Sequence, residues 1–345
     1  MMAGIGLGAA FGGLGADPRI ALSGTAAENR IPATGDPARK MLPPDRNCLV
    51  GFYKPDVPSR SIDHYENSLA AKPALFALWH LISERFPAVE AETVKRKGVV
   101  PYIALYPGVS VQKGRREIFD AVDIARGRSD HRLKQLGKGA ASFGEKHGGF
   151  FLAALMEFNA EWWPWSRKPE TVTAARHIWQ IFEDQGANRY ATWVWEAFCP
   201  ARYSHRVEDP EPYYPGDKYV DWIGMNVFAN LKNPRIAENT RFGELLSPTY
   251  EQMTRNHPQK PMMISEFGRT PGEKQPWWLI DAYESIKKEF PRIKAAIYYD
   301  NVTDVYGGQD HTLDRKSLDT LKEVFKDPYW AMADRKGMPK GVTAG

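Results

Sequence analysis

Short apolar runs alternate with longer amphipathic stretches along the chain from residue 47 onward. Such runs, bounded by turn residues, predict β-strands, and apolar residues at helical spacing predict helices. The predicted strands lie at residues 48–53, 74–80, 99–106, 149–157, 190–197, 219–227, 260–267 and 294–300. The predicted helices lie at residues 129–146, 169–186, 276–289 and 315–326.

The spacing of these strands predicts the fold class. The first and last begin at residues 48 and 294, so seven intervals cover 246 residues, or about 35 each. That length fits one strand and one helix per interval and an eight-stranded barrel of roughly 250 residues. The strands are apolar on both faces, which is typical of a parallel sheet covered by helices. We therefore predict an α/β protein, a single-domain (β/α)8 TIM barrel over residues 46–335.

Two glutamates close the runs predicted as strands 4 and 7. Glu157 ends the fourth run and Glu266 ends the seventh, 109 positions later. Functional side chains of these barrels lie after the carboxyl ends of the strands, and strands three units apart lie on opposing sides of the mouth. Alone, either glutamate could form a salt bridge at the rim. Together they predict the carboxyl pair, one protonated and one charged, that cleaves a glycosidic bond.

Composition supports this prediction and argues against other classes. Eleven tryptophans and 12% aromatic residues exceed the needs of the core, and the apolar face of a sugar ring stacks on such side chains. The net charge of +4 is spread along the chain, which argues against nucleic-acid binding. The cysteines, Cys48 and Cys199, are expected to be buried free thiols. Zinc-type ligand spacing is absent, so neither a metal nor a cofactor is predicted.

The amino-terminal segment resembles a secretory signal. Residues 1–16 are apolar, rich in small residues and short for a membrane span, although the usual basic start is missing. Residues 17–45, rich in Pro, Gly and Ala, are predicted to be a flexible leader, and residues 336–345 a flexible tail. The expected protein is secreted or periplasmic, is not stably inserted in a membrane, and is a monomer that acts on a polysaccharide.

The motif around Glu157 resembles one protein family. The segment from Leu155 to Trp165, LMEFNAEWWPW, is similar to the acid/base motif of glycoside hydrolase family 26, His-Glu-Met-Asn-Gly followed by aromatic residues. Segments IARGRSD at 124–130, WVW at 193–195, YPGDKYVDWIG at 214–224 and ISEFG at 264–268 agree with it in order and spacing. The resemblance covers roughly residues 48–325. The family includes β-mannanases and some mixed-linkage β-glucanases.

The resemblance implies roles for individual residues. Glu157 would be the general acid/base and Glu266 the nucleophile of a retaining mechanism with a covalent glycosyl-enzyme intermediate. Asn159 would support the acid/base or bind substrate, and Asp221 would lie near the cleft. The residues expected to bind substrate are Asn159, Trp162, Trp163, Trp165, His80, Trp195, Asp221, Asn226, Phe228 and Tyr299. Weaker candidates are Tyr53, Glu196 and His311.

Three positions depart from the motifs of the family. Met156 stands where the family has a histidine, Ala160 where it has a glycine, and Phe228 where a tyrosine hydroxyl usually bonds the nucleophile. The loss of these polar partners must change the pKa values of the two glutamates relative to the family. Tyr298, Tyr299 and Tyr106 are candidate replacements for the lost partners. The sugar stays open between β-mannan, β-glucan and a bacterial exopolysaccharide.

Two other classes compete with a secreted endo-acting β-glycoside hydrolase. A catalytically inactive glycan-binding barrel would keep the aromatic cleft, and the substitutions at Met156 and Phe228 favour it. The presence of both glutamates argues against it, because a pure binder needs no facing carboxylates. A metal-dependent barrel hydrolase is disfavoured, since the first strand ends in Gly51-Phe52-Tyr53 without a His-x-His pair.

Overall fold

The structure is a computed structural model, and it describes residues 40–107, 109–112, 115–203, 206–303 and 309–333. Eight parallel strands form its centre: β1 (Cys48–Tyr53), β2 (Leu75–Leu81), β3 (Val100–Tyr106), β4 (Phe150–Ala153), β5 (Ala191–Phe198), β6 (Trp222–Ala229), β7 (Met262–Arg269) and β8 (Ile293–Tyr299). Every residue of β5, β6 and β7 is buried. Strands buried on both faces explain why their sequences are continuously apolar instead of alternating between apolar and polar residues.

The strands pair in chain order and the sheet closes on itself. Each strand is hydrogen-bonded to the next, and β1 also pairs in parallel with β8, from Leu49 opposite Ala295 to Tyr53 opposite Tyr299. A short strand, Trp330–Ala331, adds to the amino-terminal end of β1. Closure removes both sheet edges and brings all carboxyl ends of the strands to one mouth. The predicted (β/α)8 barrel is confirmed.

Helices cover the outside of the barrel. They are α1 (Pro58–Leu69), α2 (Ala88–Arg96), α3 (Ala121–Ala125), α4 (Asp130–His147), α5 (Thr171–Asp184), α6 (Phe242–Asn256), α7 (Gln275–Lys288) and α8 (Arg315–Val324). The four helices predicted from periodicity correspond to α4, α5, α7 and α8. A hairpin of Val109–Gln112 and Arg115–Ile118 extends the connection after β3.

The fifth unit departs from the expected pattern. The described part of the connection between β5 and β6 contains two single 3₁₀ turns, Glu211–Tyr213 and Asp217–Tyr219, and no α-helix. The side chain of Trp195 points outward from β5 and packs against the ring of Tyr214, with the ring centroids 5.0 Å apart. Aromatic side chains of an irregular loop thus cover the sheet where a helix would otherwise lie.

Strand β4 is shorter than the sequence indicates. The apolar run at 149–157 forms a strand only at Phe150–Ala153, and the remainder is a buried turn. Both Leu155 and Glu157 adopt left-handed backbone angles, with φ of 56° and 51°, and such angles cannot continue a strand. The prediction that Glu157 ends the strand was wrong by four residues, because a buried turn and a buried strand have the same hydrophobicity.

The amino-terminal face of the barrel holds the first described residues. The main-chain N–H of Met41 donates to Thr192 Oγ1 over 2.6 Å, and its carbonyl accepts from the Trp222 indole over 3.0 Å. Cys48 and Cys199 are buried free thiols, as predicted. The predicted signal-like segment at residues 1–16, most of the predicted leader at 17–45 and the predicted tail at 336–345 lie outside the described residues. Across the ranges that the structure describes, no helix combines the length and hydrophobicity needed to cross a membrane.

Candidate active site

A strained turn positions Glu157 at the mouth. Its backbone N–H donates to the carbonyl of Glu196 on β5 over 2.9 Å, and its own carbonyl accepts from the Ala160 N–H and from Ser166 Oγ. The Trp165 indole donates to the carbonyl of Met156 over 3.0 Å. These bonds hold the two left-handed residues in place, and backbone strain of this kind typically persists where the surroundings fix a functional group.

Three N–H groups converge on the Glu157 carboxylate. The Asn226 amide donates to Oε1 over 2.9 Å, and the indoles of Trp162 and Trp163 donate to Oε2 over 2.5 and 3.1 Å. Burial raises the pKa of Glu157, and the three donors oppose that rise because they stabilise the charged form. These three donors, rather than Tyr298, Tyr299 or Tyr106, replace the polar contact that is lost with Met156 in place of a histidine.

Glu266 lies on β7, and Trp79 at the end of β2 provides its hydrogen bond. The indole N–H of Trp79 donates to Glu266 Oε1 over 2.6 Å. Phe228 has no hydroxyl to offer, so Trp79 occupies the role for which Tyr298, Tyr299 and Tyr106 were considered. Tyr298 instead donates to the carbonyl of His311. The sequence did not predict this contact because β2 and β7 are not neighbours in the sheet. Their side chains meet only across the interior of the closed barrel.

A third carboxyl group lies beneath the other two. Glu196 on β5 is fully buried, and its oxygens accept from the hydroxyl of Tyr102 and from the Asn226 amide, the latter over 2.8 Å. Asn226 also faces Glu266 directly in the register of β6 and β7. One amide therefore donates to Glu157 and Glu196 while it neighbours Glu266, and the three carboxyl groups form one electrostatic unit.

Burial, together with repulsion among the carboxyl groups, disfavours the state in which Glu157, Glu196 and Glu266 are all charged. Burial, followed by the charges of Glu196 and Glu157, raises the pKa of Glu266 well above its usual range, and the Trp79 donor opposes that rise. Burial raises the pKa of Glu196 to about 7 despite the donors Tyr102 and Asn226. A site of this kind holds a proton near neutral pH, which general acid catalysis requires.

Both glutamates open onto one aromatic cleft. Its lining consists of Trp79, Glu157, Trp162, Trp163, Phe198, Tyr203, Arg206, Phe228, Glu266, Tyr299 and Gln309. Tyr53 extends the aromatic wall, with its ring stacked 5.5 Å from Trp79 and 5.0 Å from Tyr299. Among the residues expected to bind substrate, Trp162, Trp163, Phe228 and Tyr299 line this cleft, and Asn226 lies directly beneath it.

Three other predicted binding residues support the framework instead. Asn159 is fully buried, where its amide donates to the carbonyls of Phe198 and Glu208 and its oxygen accepts from the Phe198 N–H. That arrangement agrees with the supporting role considered for it. Trp165 is fully buried behind the strained turn, and Trp195 faces outward from β5. The expectation that Trp165 and Trp195 bind substrate is therefore corrected.

Three further predictions change with the geometry. Asp221 precedes β6 at the opposite end of the barrel, where it pairs with Lys40 over 2.7 Å and accepts from the Trp193 N–H. The expectation that it lies near the cleft was wrong. His80 faces a neighbouring groove beside Tyr53 and Lys54, and its Nε2 lies 2.6 Å from the Arg85 carbonyl. His311 is fully buried against Phe228 and does not line the cleft.

Several residues of the cleft escaped the sequence analysis. Trp79, Phe198, Tyr203, Arg206 and Gln309 all line it without having been singled out. Trp79 and Phe198 lie at carboxyl ends of barrel strands, so their position carried a usable signal. Tyr203, Arg206 and Gln309 come from loops whose paths no periodicity specifies. In the described ranges, no group of three His, Cys, Asp or Glu side chains could hold a metal ion.

Comparisons with known proteins place the fold. No protein-family model and no curated protein matches the sequence. Among solved structures, the GH26 domain of an endo-β-mannanase/endo-β-glucanase from Prevotella bryantii is similar, with a TM-score of 0.62, 11% identity, and coverage of 87% of this chain and 93% of that one. A Bacillus subtilis mannanase gives a TM-score of 0.60 and 15% identity over 89% of this chain and 92% of that one.

A third similar structure is a β-mannanase from a symbiotic protist of the termite Reticulitermes speratus, which was solved with a gluco-manno-oligosaccharide. Its TM-score is 0.60 at 14% identity, with coverage of 85% of this chain and 90% of that one. At such identities the likeness establishes the fold. The resemblance to glycoside hydrolase family 26 is thus confirmed as a shared fold, over nearly the full length of these relatives.

Proposed function

We propose that the protein is an endo-acting β-glycoside hydrolase that cleaves a β-linked polysaccharide with retention of configuration. The observation that carries the proposal is the pair Glu157 and Glu266, buried, raised in pKa and facing one cleft lined by aromatic rings. Carboxyl groups need such an arrangement to divide the roles of proton donor and nucleophile. The shared fold with solved β-mannanases agrees with it.

The proposed reaction proceeds in two displacements. Glu157 protonates the glycosidic oxygen while a carboxylate oxygen of Glu266 attacks the anomeric carbon, which breaks the glycosidic bond and forms a glycosyl ester. Glu157, now charged, takes a proton from water as that water attacks the anomeric carbon, and the bond from that carbon to Glu266 breaks so that Glu266 leaves as a carboxylate. Retention by this route requires the two carboxyl groups to lie about 5–5.5 Å apart.

The hydrogen bonds place a demand on this division of roles. Among the described residues, three N–H groups donate to Glu157 and one donates to Glu266, so without substrate the hydrogen bonds favour charge on Glu157 and a proton on Glu266. Turnover in the proposed roles requires the reverse order, which substrate must impose when it enters the cleft. The assignment of Glu157 as acid/base and Glu266 as nucleophile follows the order of the sequence motifs. Experiment can distinguish the two roles, because only the nucleophile forms a covalent adduct.

The lining of the cleft bears on the substrate, and the amino-terminal sequence bears on the location. The aromatic lining suits the apolar faces of pyranose rings, and β-mannan, a β-glucan and a bacterial exopolysaccharide all fall within the proposal. The apolar segment at residues 1–16 supports export to the periplasm or the medium. Action on a polymeric substrate supports a monomer.

A reducing-end assay on a polysaccharide panel tests the proposal. The panel comprises galactomannan, glucomannan, barley mixed-linkage glucan, laminarin, xylan and a bacterial exopolysaccharide, each with wild type, Glu157→Gln and Glu266→Gln. We expect wild type to release reducing ends from one polymer class, and each variant to lose at least about a thousandfold. Binding without release by wild type would instead support the glycan-binding barrel, which Phe228 favours.

A further inference from the structure

Glu196 is a buried carboxyl group that the proposed reaction does not use. It is fully buried on β5 and does not line the cleft, so substrate cannot reach it. A carboxylate in such a place costs several kcal/mol unless hydrogen bonds compensate for the lost water. Its position beneath both members of the proposed pair therefore needs a physical explanation.

The hydrogen bonds of Glu196 connect it to Glu157 by two routes. Through side chains, the Asn226 amide donates one hydrogen to Glu196 Oε1 over 2.8 Å and the other to Glu157 Oε1 over 2.9 Å. Through the main chain, the Glu157 N–H donates to the Glu196 carbonyl over 2.9 Å. Both amide hydrogens of Asn226 are thus donated to carboxylates. The bond to Glu196 fixes the orientation in which the amide nitrogen of Asn226, and not its oxygen, faces Glu157.

The second oxygen of Glu196 accepts from the hydroxyl of Tyr102 on β3. Burial and the neighbouring charge of Glu196 raise the pKa of Tyr102 well above its usual range, so the phenol stays protonated and donates. Both oxygens of Glu196 therefore accept hydrogen bonds, which is the pattern of an ionised carboxylate.

We propose that Glu196 is a positioning residue for the Glu157–Glu266 pair, which orients Asn226 on Glu157 and places a third, buried negative charge beside both glutamates. This inference rests on the proposed glycoside hydrolase function. The groups that face Glu196 are Tyr102 from β3, Glu157 from the turn after β4, Asn226 from β6 and Glu266 from β7. Glu196 itself contacts no substrate and transfers no proton to it.

The charge of Glu196 acts on the catalytic proton. Because burial raises the pKa of Glu196 to about 7, its negative charge is present above neutral pH. That charge repels a second and third charge nearby, so Glu157 and Glu266 release their shared proton at higher pH than they would without it. Glu196 thereby keeps the acid form of the site populated toward alkaline pH.

The test is the pH profile of kcat/KM for Glu196→Gln on the polymer that wild type cleaves. Glutamine keeps the shape and accepts from Asn226, while the charge disappears. We expect the alkaline limb to move to lower pH by on the order of two pH units, the effect of a unit charge roughly 6 Å away at an effective dielectric constant of about 20, because the Asn226 amide nitrogen lies 2.9 Å from an oxygen of Glu157 and 2.8 Å from one of Glu196. An alkaline limb in the wild-type position would overturn the proposal.

Two companion variants separate this role from general destabilisation. Asp281→Asn removes another buried carboxylate, which binds Arg241 on the outer layer, and should leave the pH profile in place. Tyr102→Phe removes one donor from Glu196, raises its pKa further and should move the alkaline limb in the same direction by a smaller amount. A shift in Asp281→Asn equal to that in Glu196→Gln would contradict the proposal. Tyr102→Phe retains the test if Glu196→Gln does not fold.

A substrate-free measurement keeps the two proposals distinguishable. In protein labelled with ¹³C at the glutamate side-chain carboxyl, NMR titration follows Glu157 and Glu266, which are assigned from their Gln variants. We expect the titration of the pair to fall to lower pH in Glu196→Gln, and an unchanged titration would refute the inference. Failure of wild type to cleave any polymer, with this shift present, would reject the proposed hydrolase function and leave the electrostatic role of Glu196 intact.

Discussion

Replacing Trp79 with phenylalanine removes the hydrogen bond that its indole donates to Glu266. The indole N–H lies 2.6 Å from Glu266 Oε1, and phenylalanine keeps an aromatic ring against Tyr53 while it removes the donor. Since that donor stabilises the charged form, its loss raises the pKa of Glu266 further. The acidic limb of the pH profile should therefore move to higher pH, because a protonated Glu266 cannot attack the anomeric carbon.

The magnitude follows from the value of a hydrogen bond to a charged group. Such bonds contribute about 1.5–3 kcal/mol, which corresponds to a loss of roughly 10- to 150-fold in kcat/KM on the acidic side of the optimum. Water that enters the vacated space and donates in place of the indole would bring the loss toward the lower end. On the alkaline side, where Glu266 is charged in either protein, the two rates should converge.

The assay is reducing-end release across the pH range, with Trp193→Phe as the matched control. Trp193 is buried on the outer face of β5, where its indole donates to Asn188 over 2.9 Å, so this variant loses the same type of donor away from the cleft. It should retain the wild-type profile. A Trp79→Phe profile that is lowered uniformly at every pH, without displacement of its acidic limb, would refute the role given to the indole.

Two further predictions concern stability. Gly224→Ala places a Cβ 2.0 Å from Ser265 Oγ and 2.7 Å from Val194 Cγ1, so urea unfolding should show a loss of about 2 kcal/mol or more, and an unchanged midpoint would contradict the packing described. Burial lowers the pKa of His311 to about 4, below the value near 6.5 in unfolded chains. Between these two values the unfolded state binds more protons than the folded state. The free energy of unfolding should therefore fall by about 3 kcal/mol from pH 7 to pH 4. Urea unfolding of His311→Gln should lack this part of the pH dependence, and equal slopes in both proteins would exclude it.

Periodicity and spacing predicted the barrel well because they follow from local geometry. Continuous apolar runs at intervals of about 35 residues leave few arrangements besides a closed parallel sheet covered by helices. The same rules failed where regular structure is interrupted: Glu157 lies in a buried turn rather than at the end of a strand, and the fifth unit covers its strand with aromatic loop residues. Hydrophobicity reports burial in each case, and burial is common to strands, turns and loops.

The carboxyl pair was predictable, and its partners were not. Glu157 and Glu266 meet because strands 4 and 7 face each other across any eight-stranded barrel. Which side chains donate to them depends on distances across the closed barrel, and a sequence states none of these. The sequence therefore predicts tyrosines rather than Trp79 as the partners, makes Glu196 only a weaker candidate, and places Asp221 at the wrong end of the barrel. Trp162 and Trp165, three positions apart, line the cleft and the core respectively.

Covalent trapping tests the central claim most directly. A 2-deoxy-2-fluoro glycoside with an activated leaving group, of the sugar that the polymer panel identifies, should form a stable ester with the nucleophile, since fluorine slows hydrolysis of the intermediate. The account predicts a single adduct by mass spectrometry, mapped to the peptide that carries Glu266 and absent in Glu266→Gln. An adduct on Glu157 would reverse the two roles. Turnover with inverted product and no adduct would contradict the double displacement itself.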